Sequence, residues 1–247
     1  MVRAVACCLR EYAPAERRHE VCLAGSLGDV AIAVVTSSAG SWIGLDAEAP
    51  AVRAAYDALI RAARRTLPSP AAAVANAFRA ASRALDPLPR DDNFDCDHTT
   101  AMCAALATPY ATIIGALGSV GAARFEGERA VERTATYSLR DKLLADGATP
   151  AQLDANHINF ASIYLECVMP LRTADRPAPR LHEWPALAPG HRLLLAPHEH
   201  LDAALARPPS PGLSGERWLA EALTSDARRD PGRHRDYSDR VGALIEG

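Results

Sequence analysis

Apolar and polar positions along this chain fall into two kinds of period, and the switches between them mark out its elements. Val2 to Leu9 is a short apolar run that predicts a strand. Glu20 to Ala24 and Val30 to Thr36 predict two more, joined through Gly25 to Asp29 in a hairpin, because glycine and aspartate supply the backbone angles that tight connections need. After the small-residue stretch Ser37 to Gly44, Val52, Tyr56, Leu59, Ile60 and Ala63 recur at helical spacing. Beyond Pro68 and Pro70 so do Val74, Phe78, Ala81 and Leu85, so two consecutive amphipathic helices are expected. Three apolar runs follow, Thr99 to Ala107, Tyr110 to Leu117 and Ala122 to Phe125. The breaks at Thr108-Pro109 and at Gly118 to Gly121 predict an antiparallel meander.

Ser138 to Asp146 and Thr149 to Leu165 predict helices, the second with Thr149 as N-cap and Pro150 in its first position. Met169 to His191 holds several prolines and is expected to be a loop or an irregular edge. Arg192 to Ala204 (RLLLAPHEHLDAA) reads as a buried strand ending at Pro197, then the polar residues His198, Glu199 and His200, then a helix from Leu201. A loop leaving such a strand is a usual place for chemistry. A helix from Ser214 to Thr224, a loop with four arginines and a closing strand, Val241 to Ile245, complete the chain. Strands in two batches with helix pairs outside them imply an α+β protein, a four-layer α/β/β/α sandwich with two central antiparallel sheets. Residues 1–247 are expected to form a single domain.

The composition narrows this picture. Hydrophobic residues make up 49% of the chain but aromatics only 5%, so alanine, valine and leucine must fill closely packed layers. A net charge of −3 gives no basic footprint for nucleic acid. No apolar window reaches the length of a membrane span, and the start, MVRAVACCLREY, is too short in its apolar part for a secretory leader. Cys7, Cys8, Cys22, Cys96, Cys103 and Cys167 form no C-x-x-C pair and read as buried reduced thiols. A cytoplasmic protein with neither membrane nor nucleic acid as partner is expected.

Several strings, in order, resemble the PP2C (PPM) family of metal-dependent protein phosphatases. His98-Thr99-Thr100-Ala101 resembles the family's G-T-T-A, and Ile114 to Phe125 resembles its strand containing G-D-S-R. Thr134 to Gly147 (TATYSLRDKLLADG) is similar to T-x-D-H-S followed by a helix ending in glycine. LLLAPHEHLD lies where the family has L-L-L-C-S-D-G-L-x-D, and Asp239-Arg240-Val241 where it has the final D-N-x-T strand. The resemblance spans nearly the whole chain and implies a PP2C-like sandwich. In that family, aspartates at strand ends hold two Mn²⁺ or Mg²⁺ ions, hard cations that prefer carboxylate oxygens and activate a bridging water.

Position by position, the resemblance implies a degenerate site. Glu20 matches the N-terminal acid, and D-G-x-G-G becomes Ser37-Ser38-Ala39-Gly40-Ser41, which puts Ser37 where the bridging aspartate belongs. Ser119 replaces the aspartate of G-D-S-R, and Gly121 its arginine. His198 and Glu199 replace the aspartate and glycine of S-D-G, and Asp239 is retained. Arg17 and Arg18 do not match the spacing of the family's phosphate-binding arginine and read as solvated. No bound metal and no cofactor are expected.

The focal residues admit three readings. In an extended segment His198 and His200 point the same way and would bind one Zn²⁺ with Asp239 or Glu20. One imidazole with Glu199 would serve as an acid and base pair, and Ser37 joins them as a catalytic candidate. Or all three cap and solvate the start of the helix. Asp95, Cys96, Asp97 and His98 mix hard and soft donors that suit no single metal, so that loop reads as solvated. Asn156 and His157 read as a satisfied polar pair on a helix, and Ser37-Ser38 lacks the G-x-S-x-G frame of a nucleophile elbow.

Three functions follow. The first is a pseudophosphatase that acts as a binding or regulatory subunit, with a protein partner or a homo- or hetero-oligomer and a possible small-molecule ligand in the old cleft. The second is a metal-independent enzyme performing elimination, cyclisation or transfer on a small metabolite. The third is a residual single-metal phosphatase.

Overall fold

The computed structural model describes residues 2–9, 22–38, 45–65, 69–88, 98–135, 138–155, 166–173, 176–224 and 240–247. Its strands form two five-stranded sheets. The first has the order β1 (Arg3–Leu9), β10 (Arg240–Glu246), β9 (His191–Pro197), β6 (Val120–Glu126), β7 (Arg129–Arg133). The second has the order β2 (Cys22–Leu27), β3 (Val30–Ser38), β4 (Thr100–Ala107), β5 (Ala111–Leu117), β8 (Arg180–Pro185). All the pairings are antiparallel.

Because side chains alternate along a strand, each sheet buries two rows. Ala31, Ala33 and Val35 of β3 and Ile114 of β5 meet Val120 and Ala122 of β6 and Leu193 and Leu195 of β9, and this is the core between the sheets. The intervening residues face helices. Ile32, Val34 and Leu106 pack under α1 (Leu45–Ala63) and α2 (Pro70–Leu85), and Ala123, Phe125, Leu194 and Ala196 under α5 (His198–Ala206) and α6 (Gly215–Thr224). The result is the expected four layers. With few aromatics available, one carries much of the outer core. Trp218 of α6 is fully buried, stands edge-on to Phe125 at 5.2 Å, lies under the Arg192 guanidinium and donates its indole N–H to the Pro209 carbonyl at 3.2 Å.

Local signals account for several boundaries. The β2–β3 turn is the pair Gly28-Asp29, with Gly28 in the left-handed region at φ 63°, so β2 runs on through Gly25 to Leu27. Ser138 and Thr149 open the short helices α3 (Leu139–Ala145) and α4 (Pro150–Asp154), each with a reciprocal capping box, to Asp141 and Gln152 respectively. The remainder of the helix expected to Leu165, with Asn156 and His157, lies outside the described residues, as do Asp91 to Asp97, Arg17 and Arg18. Cys22, Cys103 and Cys167 are buried free thiols.

The structure adds to and corrects these expectations. The apolar runs from Thr99 are not a meander, because β4 and β5 pair in the second sheet while β6 belongs to the first. β7 was not foreseen, since its R-A-V-E-R alternation is short and polar. The proline-rich stretch, expected as a loop or an irregular edge, does supply an edge, β8, where missing N–H donors are tolerated. The helix after β9 begins at His198 rather than Leu201, and α1 begins at Leu45, with Pro50 inside it.

Candidate functional site

The chain passes from one sheet to the other across two residues, Gly118 and Ser119. Gly118 has φ 82°, and a Cβ there would lie 2.8 Å from both the Ala101 side chain and the Glu166 carbonyl, so only glycine fits. The Ser119 carbonyl accepts the His198 backbone N–H at 2.8 Å, and Val120 pairs with Pro197. Two positions far apart in sequence, Ser119 and His198, are thus joined through the main chain.

The His198 side chain is turned away from the space between the sheets. His198 is 4% exposed, and its ring lies over Gly121, where a Cβ would come within 2.6 Å of Cε1 and would also strike Thr134 Oγ1. Thr134 is fixed in turn, exchanging backbone and side-chain hydrogen bonds with Ala122. Ala122 faces the inter-sheet core and Ala123 the helices, so position 121 opens to the helix side and the ring sits beneath α5. Burial pushes the imidazole pKa down to about 4, and the Arg133 guanidinium adds to this. Asp202, a hydrogen bond with the Gly118 backbone and Asp141 oppose them. Arg133 and Asp202 themselves form an ion pair at 2.6 Å. The imidazole is therefore neutral at pH 7.

The extended H-x-H arrangement is not present. His198 and His200 occupy the first turn of a helix, where residues two apart point in different directions, and both are buried rather than solvated. Glu199 lies between them, and its side chain is outside what is described.

Ser37 continues the row Ala31, Ala33, Val35 that faces the other sheet, and its carbonyl accepts the Thr100 hydroxyl at 2.9 Å. It pairs with Ala101, the residue against which Gly118 packs, which places Ser37 and Ser119 near the same end of the sandwich. Between Gly118, Ala116, Leu117, Ala135, Glu166 and Arg180 there is a half-open depression of about 10 Å³, the space of roughly one water. An Arg180–Glu166 ion pair at 3.3 Å borders it. Arg180 escaped the sequence reading because its strand looks like proline-rich loop; the alternating R-L-H-E-W was the available signal. Glu20 and Asp239 lie outside the described residues.

Among the described candidate positions, no carboxylate is present to hold a divalent cation. Ser37 and Ser119 offer neutral hydroxyls, and the His198 ring is turned under α5. Among the described residues, no three His, Cys, Asp or Glu side chains are grouped to hold a metal ion. Two such ions about 4 Å apart repel by roughly 16 kcal/mol at an effective dielectric of 20, which only converging carboxylates offset.

No protein-family model matches the sequence, and no curated protein matches it significantly. Solved structures do. The fold is that of the PP2C-like serine/threonine phosphatases, at identities where the likeness is one of fold. The catalytic domain of the serine/threonine protein phosphatase PstP, in complex with two manganese ions, superposes with a TM-score of 0.62 at 15% identity, over 99% of this chain and 96% of that one. The S. agalactiae serine/threonine phosphatase gives 0.68 at 12%, over 100% and 98%. PppA of Pseudomonas aeruginosa gives 0.61 at 13%, over 99% and 96%.

Proposed function

We propose that this protein is a PP2C-fold pseudophosphatase, a cytoplasmic binding or regulatory subunit of a protein complex that has left dinuclear metal chemistry behind. What supports this reading is the pair of substitutions at the sheet crossover. Where the resemblance calls for two carboxylates, Ser119 brings a neutral hydroxyl, and His198 brings a neutral ring committed to the packing of α5 on Gly121. A scaffold kept whole without its charged ligands needs another use, and association is the simplest. The similar protein PppA is described as a key regulatory component of T6SS, which agrees with a regulatory use of this fold.

The test pairs an activity assay with a size measurement. Hydrolysis of p-nitrophenyl phosphate is expected to stay at background with Mn²⁺, Mg²⁺ or Zn²⁺. The native protein is expected to elute from a sizing column as a complex well above 26.3 kDa, with a stoichiometric partner or a second copy. Metal-dependent turnover from a monomer is the opposite outcome.

A further inference from the structure

The outer face of the α1–α2 layer is strongly basic. Residues 45–88 carry six arginines against four carboxylates, in a chain whose net charge is −3. Arg61, Arg64, Arg65, Arg79 and Arg83 are all exposed, and among the described residues none of the five makes an ion pair. Of the acids on these helices, Asp57 is exposed one turn before Arg61, and the others offer the arginines less. Glu48 is buried, and the Asp86 carboxylate accepts the Arg172 backbone N–H. Arg79 and Arg83 are four apart on α2 and so lie on one of its faces, while Arg61 stands in the last turn of α1 and Arg64 and Arg65 directly follow it. The buried faces of both helices pack on the second sheet, which leaves the arginines pointing away from the molecule.

We propose that this face docks an acidic helical segment of a partner protein, with Asp or Glu side chains four residues apart meeting the arginines. The guanidinium fork suits carboxylates bidentately, and α1 at about 28 Å is long enough to take several turns of a partner helix. A lipid surface fits less well, because neither helix exposes a large apolar side chain to insert; among the described residues the exposed large apolar ones are Tyr110 and Leu181, on other elements. Single-stranded nucleic acid would need aromatic stacking platforms that the face lacks, and duplex DNA would meet a net negative protein. The surface lies across the second sheet from the crossover, so it stands whether or not the old cleft binds anything.

Fluorescence anisotropy with a labelled helical peptide of Glu-Ala-Ala-Ala-Glu repeats tests this. The full chain is expected to bind at low salt and to weaken as salt rises, as arginine–carboxylate contacts require. R61E/R79E/R83E should weaken binding about tenfold or more. The milder R79Q/R83Q pair should weaken it less, each variant showing an unchanged circular-dichroism spectrum. Absence of binding, binding that ignores both variants, or tighter binding of a DNA duplex or of phosphatidylserine vesicles than of the peptide overturns the proposal. Binding that appears only after Asp91, Asp92, Asp95 and Asp97 are changed to Asn also overturns it, since these acids of the chain itself would then be the occupant.

Discussion

Gly121→Val is expected to lower folding stability by about 3 kcal/mol, seen as an earlier urea midpoint with an unchanged slope. Any side chain at this position must enter the space held by the His198 ring and Thr134 Oγ1, and the first of these is pinned by the Ser119–His198 backbone hydrogen bond. His198→Ala leaves a void and is itself destabilising. In the double variant G121V/H198A, however, valine occupies the vacated space, so the loss should fall short of the sum by about 1 kcal/mol or more. Additive losses would mean that the two residues do not touch. Gly121 leaves the space and the His198 ring fills it, so the two residues form one packing unit.

Acid is expected to act on the same residue. The imidazole pKa is about 4 in the folded protein, below the ordinary value of 6.5. Between those values the unfolded chain takes up a proton that the folded chain refuses, so stability is full above pH 6.5 and declines as the pH falls towards 4. At about 1.4 kcal/mol per unit, the loss reaches roughly 3 kcal/mol and levels off below pH 4. The groups facing the ring are Arg133 from β7, Asp202 from α5 and Asp141 from α3. H198N, which has no titration in this range, should flatten the curve of urea midpoint against pH between 6.5 and 4. An unaltered slope in that variant would assign the acid sensitivity to other groups.

Much of the fold was legible because it is written locally. The hairpin of β2 and β3, the Val74, Phe78, Ala81, Leu85 face of α2 and the caps at Ser138 and Thr149 depend on residues within a few positions of one another. The sheet change at Gly118-Ser119 was not legible, because a two-residue glycine turn looks the same whether the chain folds back or crosses over. The pairing of Val120 with Pro197, which decides it, involves a strand more than 70 residues further on. The orientation of His198 was hidden for the same reason. A polar run after proline reads as an extended loop, and only Gly121 and Thr134, distant in sequence, reveal that the ring is packed beneath a helix. Candidate positions at strand ends could be located from the resemblance, but which way each side chain points could not.

The direct measurement of the central claim is a calorimetric titration of the full chain with Mn²⁺. The neutral hydroxyls of Ser37 and Ser119 and the burial of His198 predict no binding tighter than the millimolar range, and no pair of ions. Two equivalents held at micromolar affinity or better would contradict the account.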